Sequence, residues 1–153
     1  MAILTAADAA KVQAFFGDHL QDPITIDLFT EKKSLLVVPG RRECEYCAET
    51  EELLGEVAAL SDKVNVVAHD LRENPDAGAS LGIYPDMVPA FVLSGGNRGK
   101  VRQFGIPAGY EFTSLIQDLA DVSTGTTRLS QTTKDELANL PGDVHIRVFV
   151  TTT

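Results

Sequence analysis

Cysteine is scarce in this chain, and histidine is scarcely more common. The 153 residues hold two cysteines, Cys44 and Cys47, and three scattered histidines, His19, His69 and His145. A fold held together by disulfides needs more cysteine than this, and a four-coordinate zinc needs four ligands that this set does not gather. No metal and no bound cofactor is expected. Cations are also few: 13 Lys and Arg stand against 22 Asp and Glu, a formal charge of -9, so a nucleic-acid backbone would repel the chain. No apolar run approaches the ~18 residues of a membrane span. The start, MAILTAADAAKVQAFF, is broken by Asp8 and Lys11 and has no basic opening, so it does not read as a secretory leader. These absences point to a soluble, cytoplasmic protein without nucleic-acid or membrane partners. What is present, 44% hydrophobic residues over this length, suffices for one domain with a core and a fragment of a second.

The pattern along the chain is that of an α/β sandwich around a mixed sheet of four or more strands. Thr5 and Asp8 form a loose capping box ahead of Val12, Phe15, Phe16 and Leu20 at helical spacing, which predicts a helix over 5–20. Two β-leaning runs follow, ITIDLF at 24–29 and SLLVV at 34–38, separated by a charged EKKS. AETEELLGEVAAL predicts an amphipathic helix over 45–60, KVNVVAHD a buried strand, and ENPDAGASLGI a short helix ending near Gly82. VPAFVLS and KVRQFG flank GGNRG, a hairpin signal, and YEFTSLIQDLADV carries a further amphipathic helix. In the tail, Thr133 and Glu136 suggest a capping box for a helix at 130–139, and VHIRVFV at 144–150 a strand that can be laid on ITIDLFT.

The two cysteines lie in CEYC, directly behind the apolar run at 34–38. A disulfide closing so short a loop restrains little of the unfolded chain, so a purely structural role is weak. At a helix N-terminus the same spacing exposes the first sulfur to free backbone N–H groups and places the second about one turn in. The helix dipole then favours the thiolate of Cys44, which attacks an external disulfide, and Cys47 resolves the mixed disulfide. Arg41 and Arg42 push in the same direction, while Glu43 and Glu45 oppose them. Downstream, DMVPAFVL opens a strand with Pro89. Beside a CxxC in a βαβ context, a cis peptide there would hold the Val88 backbone open for pairing with substrate. Tyr46, a partly exposed aromatic between the cysteines, joins Val88 and Pro89 as an expected substrate contact.

CEYC at 44–47, LSDKV at 60–64, the VPAF run, FGIPAGYEF at 104–112 and VHIRVFVT at 144–151, in that order, resemble the protein disulfide oxidoreductase family. These are glutaredoxin-like proteins with two thioredoxin-fold units in one chain. The resemblance covers nearly the whole sequence and implies a nucleophilic Cys44, a resolving Cys47, a cis Pro89, protein disulfides as substrates, and a thioredoxin reductase-like donor or a peroxiredoxin as partner. The chain also resembles the amino-terminal domain of flavin-dependent peroxiredoxin reductases, whose first unit lacks a CxxC and serves as scaffold. Cys44 and Cys47 argue against a scaffold role.

The sequence departs from the family in two places. In the family the strand resembling ITIDLFT runs almost straight into the cysteines, whereas here EKKSLLVVPGRR intervenes. Because a long βα loop carrying LLVV is disfavoured, 34–38 is expected to be the strand behind Cys44, with 24–29 its hairpin neighbour or an edge strand. The chain also stops where a second unit would present its own CxxC. That reads as a thioredoxin-like unit over 1–125 and the helix and strand of a truncated second unit over 126–153. The apolar residues of that tail suggest a homodimer formed through residues 130–150. Two functional readings follow: a thiol:disulfide oxidoreductase, and a non-catalytic docking or electron-transfer module for a partner reductase or peroxiredoxin.

Overall fold

The computed structural model describes residues 3–33, 43–97 and 99–149. Helix α1 (Ala6–His19) starts where its box predicts, with the Thr5 hydroxyl accepting the Asp8 N–H at 3.1 Å, and it buries Val12 and Phe16. Strand β1 (Ile24–Thr30) follows, then α2 (Cys47–Ala58) and β2 (Val64–Asp70). Two single turns of 3-10 helix, Ala79–Leu81 and Pro85–Met87, lead to β3 (Ala90–Ser94), which pairs antiparallel with β4 (Val101–Phe104). Helices α3 (Tyr110–Thr124) and α4 (Gln131–Ala138) come after the hairpin.

The sheet has the order β2-β1-β3-β4, with β1 parallel to β2 and antiparallel to β3. A parallel pair bridged by a helix, then an antiparallel hairpin and a closing helix, is the thioredoxin fold. Ile24, Ile26 and Leu28 face the larger core with Val12, Phe16, Leu54, Val57, Leu115 and Leu119. Phe29 faces the other way, into a smaller cluster with Leu71, Ile83, Ala90 and Val92. β3 contributes Phe91 and Leu93 to the first cluster and Ala90 and Val92 to the second, which explains its unbroken apolar run.

Several expectations are corrected. Residues 24–29 are neither an edge strand nor half of a hairpin with 34–38: Ile26 lies opposite Val66 on one side and Leu93 on the other, so both ladders of β1 are taken. The run at 34–38 lies outside the described residues. β2 is not a buried strand but an edge strand; Val64 packs inside while Asn65, Val67 and Ala68 are exposed. The helix expected before Gly82 amounts to one 3-10 turn, ended by Gly82 in the left-handed region. Helix α4 is capped by Ser130, whose Oγ accepts the Thr133 N–H at 3.2 Å, and not by a box of Thr133 with Glu136. Residues 144–149 form no strand: a strand exists only through a partner, and this segment pairs with neither outer edge of the sheet, at β2 or at β4. Position 150 lies outside the described residues. No helix among the described residues is long and apolar enough to cross a membrane.

The turn between α1 and β1 is tied to α3 by one buried hydroxyl. Ser123 Oγ accepts the N–H groups of Gln21 at 2.8 Å and Asp22 at 3.0 Å and donates to the Asp22 carbonyl at 2.7 Å. Ser123 has no exposed surface, and its removal takes the shared side-chain partner from two part-buried N–H groups and one carbonyl. Ser123→Ala is expected to lower unfolding free energy by about 2 kcal/mol, read as a shifted urea midpoint with an unchanged m-value.

Candidate active site

The site forms where β1 ends and α2 begins. Cys47 is the first residue of α2 and Tyr46 its N-cap, so the helix starts later than expected and Cys44 lies ahead of it. The Tyr46 carbonyl anchors that first turn, accepting from the Thr50 N–H at 2.9 Å and from its hydroxyl at 2.7 Å. Cys44 and Cys47 are joined in a disulfide, with Cα atoms 5.6 Å apart.

The two sulfurs have different surroundings. Cys47 is 4% exposed, and its Sγ accepts the Glu31 N–H at 3.3 Å. Cys44 is only half-buried. Glu31, which follows β1 directly, is itself buried and reaches Arg72 Nη2 at 3.5 Å. The end of the central strand thus supplies a backbone donor to the inner sulfur. An N–H pointing at Sγ stabilises charge there when the bond to Cys44 is broken. A thiolate arriving from outside reaches the outer sulfur, Cys44.

Pro89 opens β3, its carbonyl accepts the Gly105 N–H at 2.7 Å, and the Val88–Pro89 peptide is cis as expected. Val88 and Cys44 line one groove of about 460 Å³, together with Glu31, Glu43, Glu45, Pro85 and Asp86. The structure therefore brings together Cys44, on the approach to α2, and Val88, from the loop ahead of β3. Pro89, the next residue, is not part of this lining. Tyr46 is exposed and outside the groove; the charge of Glu45 and a hydrogen bond to its carboxylate raise the phenol above its ordinary pKa. Arg41 and Arg42, expected to favour the thiolate, lie outside the described residues.

Glu31, Pro85 and Asp86 are groove residues that sequence reasoning did not single out. Proximity to VPAF flags Pro85 and Asp86, whereas only the end of β1 reveals Glu31. The histidines are engaged elsewhere: His69 bonds Asp27 at 2.9 Å and stacks on Phe29, and His19 donates to the Phe15 carbonyl at 2.9 Å. Among the described residues no three His, Cys, Asp or Glu side chains cluster as a metal site. A second groove, between α1 and α3, is lined mainly by Leu4, Val12, Phe15, Phe112 and Ile116, and it contains neither cysteine.

No family model matches the chain. It is 27% identical over 109 residues to the alkyl hydroperoxide reductase AhpF of Staphylococcus aureus, covering 71% of this chain and 19% of that protein. The same protein of Staphylococcus epidermidis is 27% identical over 105 residues, covering 69% and 18%. The chain thus spans about a fifth of the length of these relatives. Among solved structures it superposes on a protein disulfide oxidoreductase from Aeropyrum pernix with a TM-score of 0.71 at 21% identity, covering 90% of this chain and 56% of that one. The NTD_N/C domain of alkylhydroperoxide reductase AhpF from Enterococcus faecalis gives 0.69 at 20% identity, covering 90% and 61%. Both resemblances read from the sequence thus reappear: the chain is similar to a protein disulfide oxidoreductase in fold and to AhpF in fold and sequence.

In the reduced protein, iodoacetamide is expected to alkylate Cys44 at least about tenfold faster than Cys47, because thiol reactivity follows exposure and thiolate character. Peptide mapping by mass spectrometry checks this, and the two rates should converge in denaturant.

Proposed function

We propose that this chain is a thiol:disulfide oxidoreductase in which Cys44 is the nucleophile and Cys47 resolves. The observation that carries the reading is the asymmetry of the pair: Cys44 opens on a groove shared with Val88, while Cys47 is enclosed against the Glu31 N–H. In the reducing direction the Cys44 thiolate attacks a substrate disulfide and forms a mixed disulfide, and one substrate sulfur departs as a thiolate that takes a proton. Cys47 loses its proton, attacks Cys44 Sγ and expels the second substrate thiolate, leaving Cys44–Cys47 oxidised and the substrate as two thiols. The chemistry needs only these two sulfurs and a dithiol to restore them. The Val88 backbone pairs with an extended substrate segment, Pro89 holds that backbone at the mouth, and Tyr46 flanks the approach.

Likeness to the alkyl hydroperoxide reductase AhpF supports a peroxiredoxin or a thioredoxin reductase-like donor as partner, and the proposed location is the cytoplasm. The same likeness favours a second reading, a docking or electron-transfer module without turnover of its own. Insulin reduction driven by dithiothreitol separates the two. Turnover is expected for the native chain, with a loss of more than about 100-fold in Cys44→Ser, and Cys47→Ser should accumulate the mixed disulfide. A native chain that leaves insulin intact is the docking module.

Residues 1–125 form the thioredoxin-like unit and 126–153 the opening of a second one. α4 buries none of its residues, and Val144, Ile146, Val148 and Phe149 are 59%, 76%, 77% and 90% exposed. Such a segment gains most by pairing with a second copy of itself, giving a homodimer through residues 130–150. Light scattering at micromolar concentration should give the mass of a dimer for the native chain and of a monomer for Ile146→Asp with Val148→Asp. Two monomers would remove the dimer.

A further inference from the structure

A carboxylate held out of water needs a countercharge close by. Glu31 is such a group: its side chain is 7% exposed, it lines the groove with Cys44, and its backbone N–H lies 3.3 Å from Cys47 Sγ. A countercharge comes from Arg72, just beyond the end of β2, whose Nη2 lies 3.5 Å from Glu31 Oε2. The backbone sets Arg72 in place. The Thr30 carbonyl accepts the Leu71 N–H at 2.9 Å, which carries the β1–β2 pairing past the strand ends, and Asp70 Oδ1 accepts the Arg72 N–H at 2.9 Å. The Arg72 side chain is only 21% exposed, and its Nε is buried with no hydrogen-bond partner among the described residues. An unmade bond of this kind costs free energy, so the guanidinium sits here for its contact with Glu31 and not for its own solvation. Lys32 shows the contrast: it is 69% exposed and lies 3.9 Å from Asp70 and 3.8 Å from Glu73, a surface arrangement of little weight.

We propose that Arg72 is a positioning residue for the exchange reaction, acting through Glu31: it holds and neutralises that carboxylate, so that the Glu31 N–H stays on Cys47 Sγ and the negative charge does not oppose a thiolate at the pair. The inference rests on the exchange chemistry above and adds a residue to it. Exchange passes through a thiolate at Cys44 and then one at Cys47. An anion beside either sulfur disfavours that state, and a cation set against the anion removes much of the penalty. Arg72 makes and breaks no bond of the reaction. Its influence on the sulfurs runs through the Glu31 carboxylate and should vanish with it.

The test follows alkylation of Cys44 by iodoacetamide in the reduced full-length chain from about pH 5 to about pH 10, and reads the midpoint of the rate profile. In Arg72→Gln the midpoint should rise by about one pH unit. Arg72→Lys keeps the charge but not the planar fork, and should recover about half of that rise. Glu31→Gln should lower the midpoint, and adding Arg72→Gln to it should move the midpoint by no more than about 0.3 unit. Lys32→Gln should leave it in place. A role confined to packing lowers the urea midpoint of Arg72→Gln without moving its pH profile, and that result overturns the proposal. So does an equal rise from Arg72→Gln with and without the Glu31 carboxylate. Glu31→Gln changes charge with little change of shape, so it reports even where Arg72→Gln does not fold, and a midpoint that fails to fall there overturns the proposal as well. Insulin reduced by the native chain with unmoved midpoints removes the role of Arg72 alone. Insulin left intact removes the exchange reading, and the role of Arg72 goes with it.

Discussion

The arrangement depends on β1 having a partner on each side. A strand hydrogen-bonded along both edges and covered on both faces leaves little freedom in where its last residue lies, because a slip of one position would turn Ile24, Ile26 and Leu28 out of the larger core and Phe29 out of the smaller one. The backbone that leaves Thr30 is therefore positioned, and Glu31 presents its N–H to Cys47 Sγ. β3, the other central strand, does the same from the opposite direction: its first residue follows Pro89, and the loop before it carries Val88 and Asp86 to the groove. The two walls of the site are thus the ends of the two strands that the core holds most firmly.

That construction makes two chemically identical side chains unequal. Only three positions separate the cysteines, yet the first lies ahead of α2 and the second on its first turn, pressed against the end of β1. Burial removes Cys47 from solvent, and the Glu31 N–H offsets the cost of leaving its sulfur charged when the disulfide opens. The pair of Glu31 with Arg72 adds a charged contact behind the inner sulfur, while the outer sulfur looks across the groove to Val88.

Past the end of α3 the physics changes. The hydroxyl of Ser123 closes the α1–β1 turn, and Gly125, at φ 63°, lets the chain pass against the hairpin at Gly96, where an added Cβ would lie 2.6 Å from a carbonyl oxygen. Beyond it α4 rests on local terms, a Ser130 cap and a bond from the Gln131 amide to Asp135 at 2.7 Å, with no buried face to hold it. A helix of that length is marginal without packing. Its apolar side chains, with those of 144–149, form the part of the molecule that gains most from a neighbour.

Features set by neighbours along the chain were legible in the sequence alone. Thr5 starts α1, GGNRG turns the β3–β4 hairpin, and CEYC with VPAF marks the reactive pair and the cis proline, because caps, tight turns and cysteine spacing act over a few residues. The family resemblance rested on the same short signals. Which β-leaning run becomes the central strand was not legible, since ITIDLF and SLLVV have similar local preferences and only pairing with both β2 and β3 distinguishes the first. The same limit applies to VNVVAHD, whose edge position is a property of the sheet, and to residues 144–149, which carry strand propensity but find no ladder among the described residues. In the site, the sequence by itself determined the two sulfurs and the proline. The burial of Glu31, the hydrogen bond to Cys47 and the meeting of Asp86 with Cys44 were decided by tertiary structure alone, because each joins groups from segments far apart along the chain.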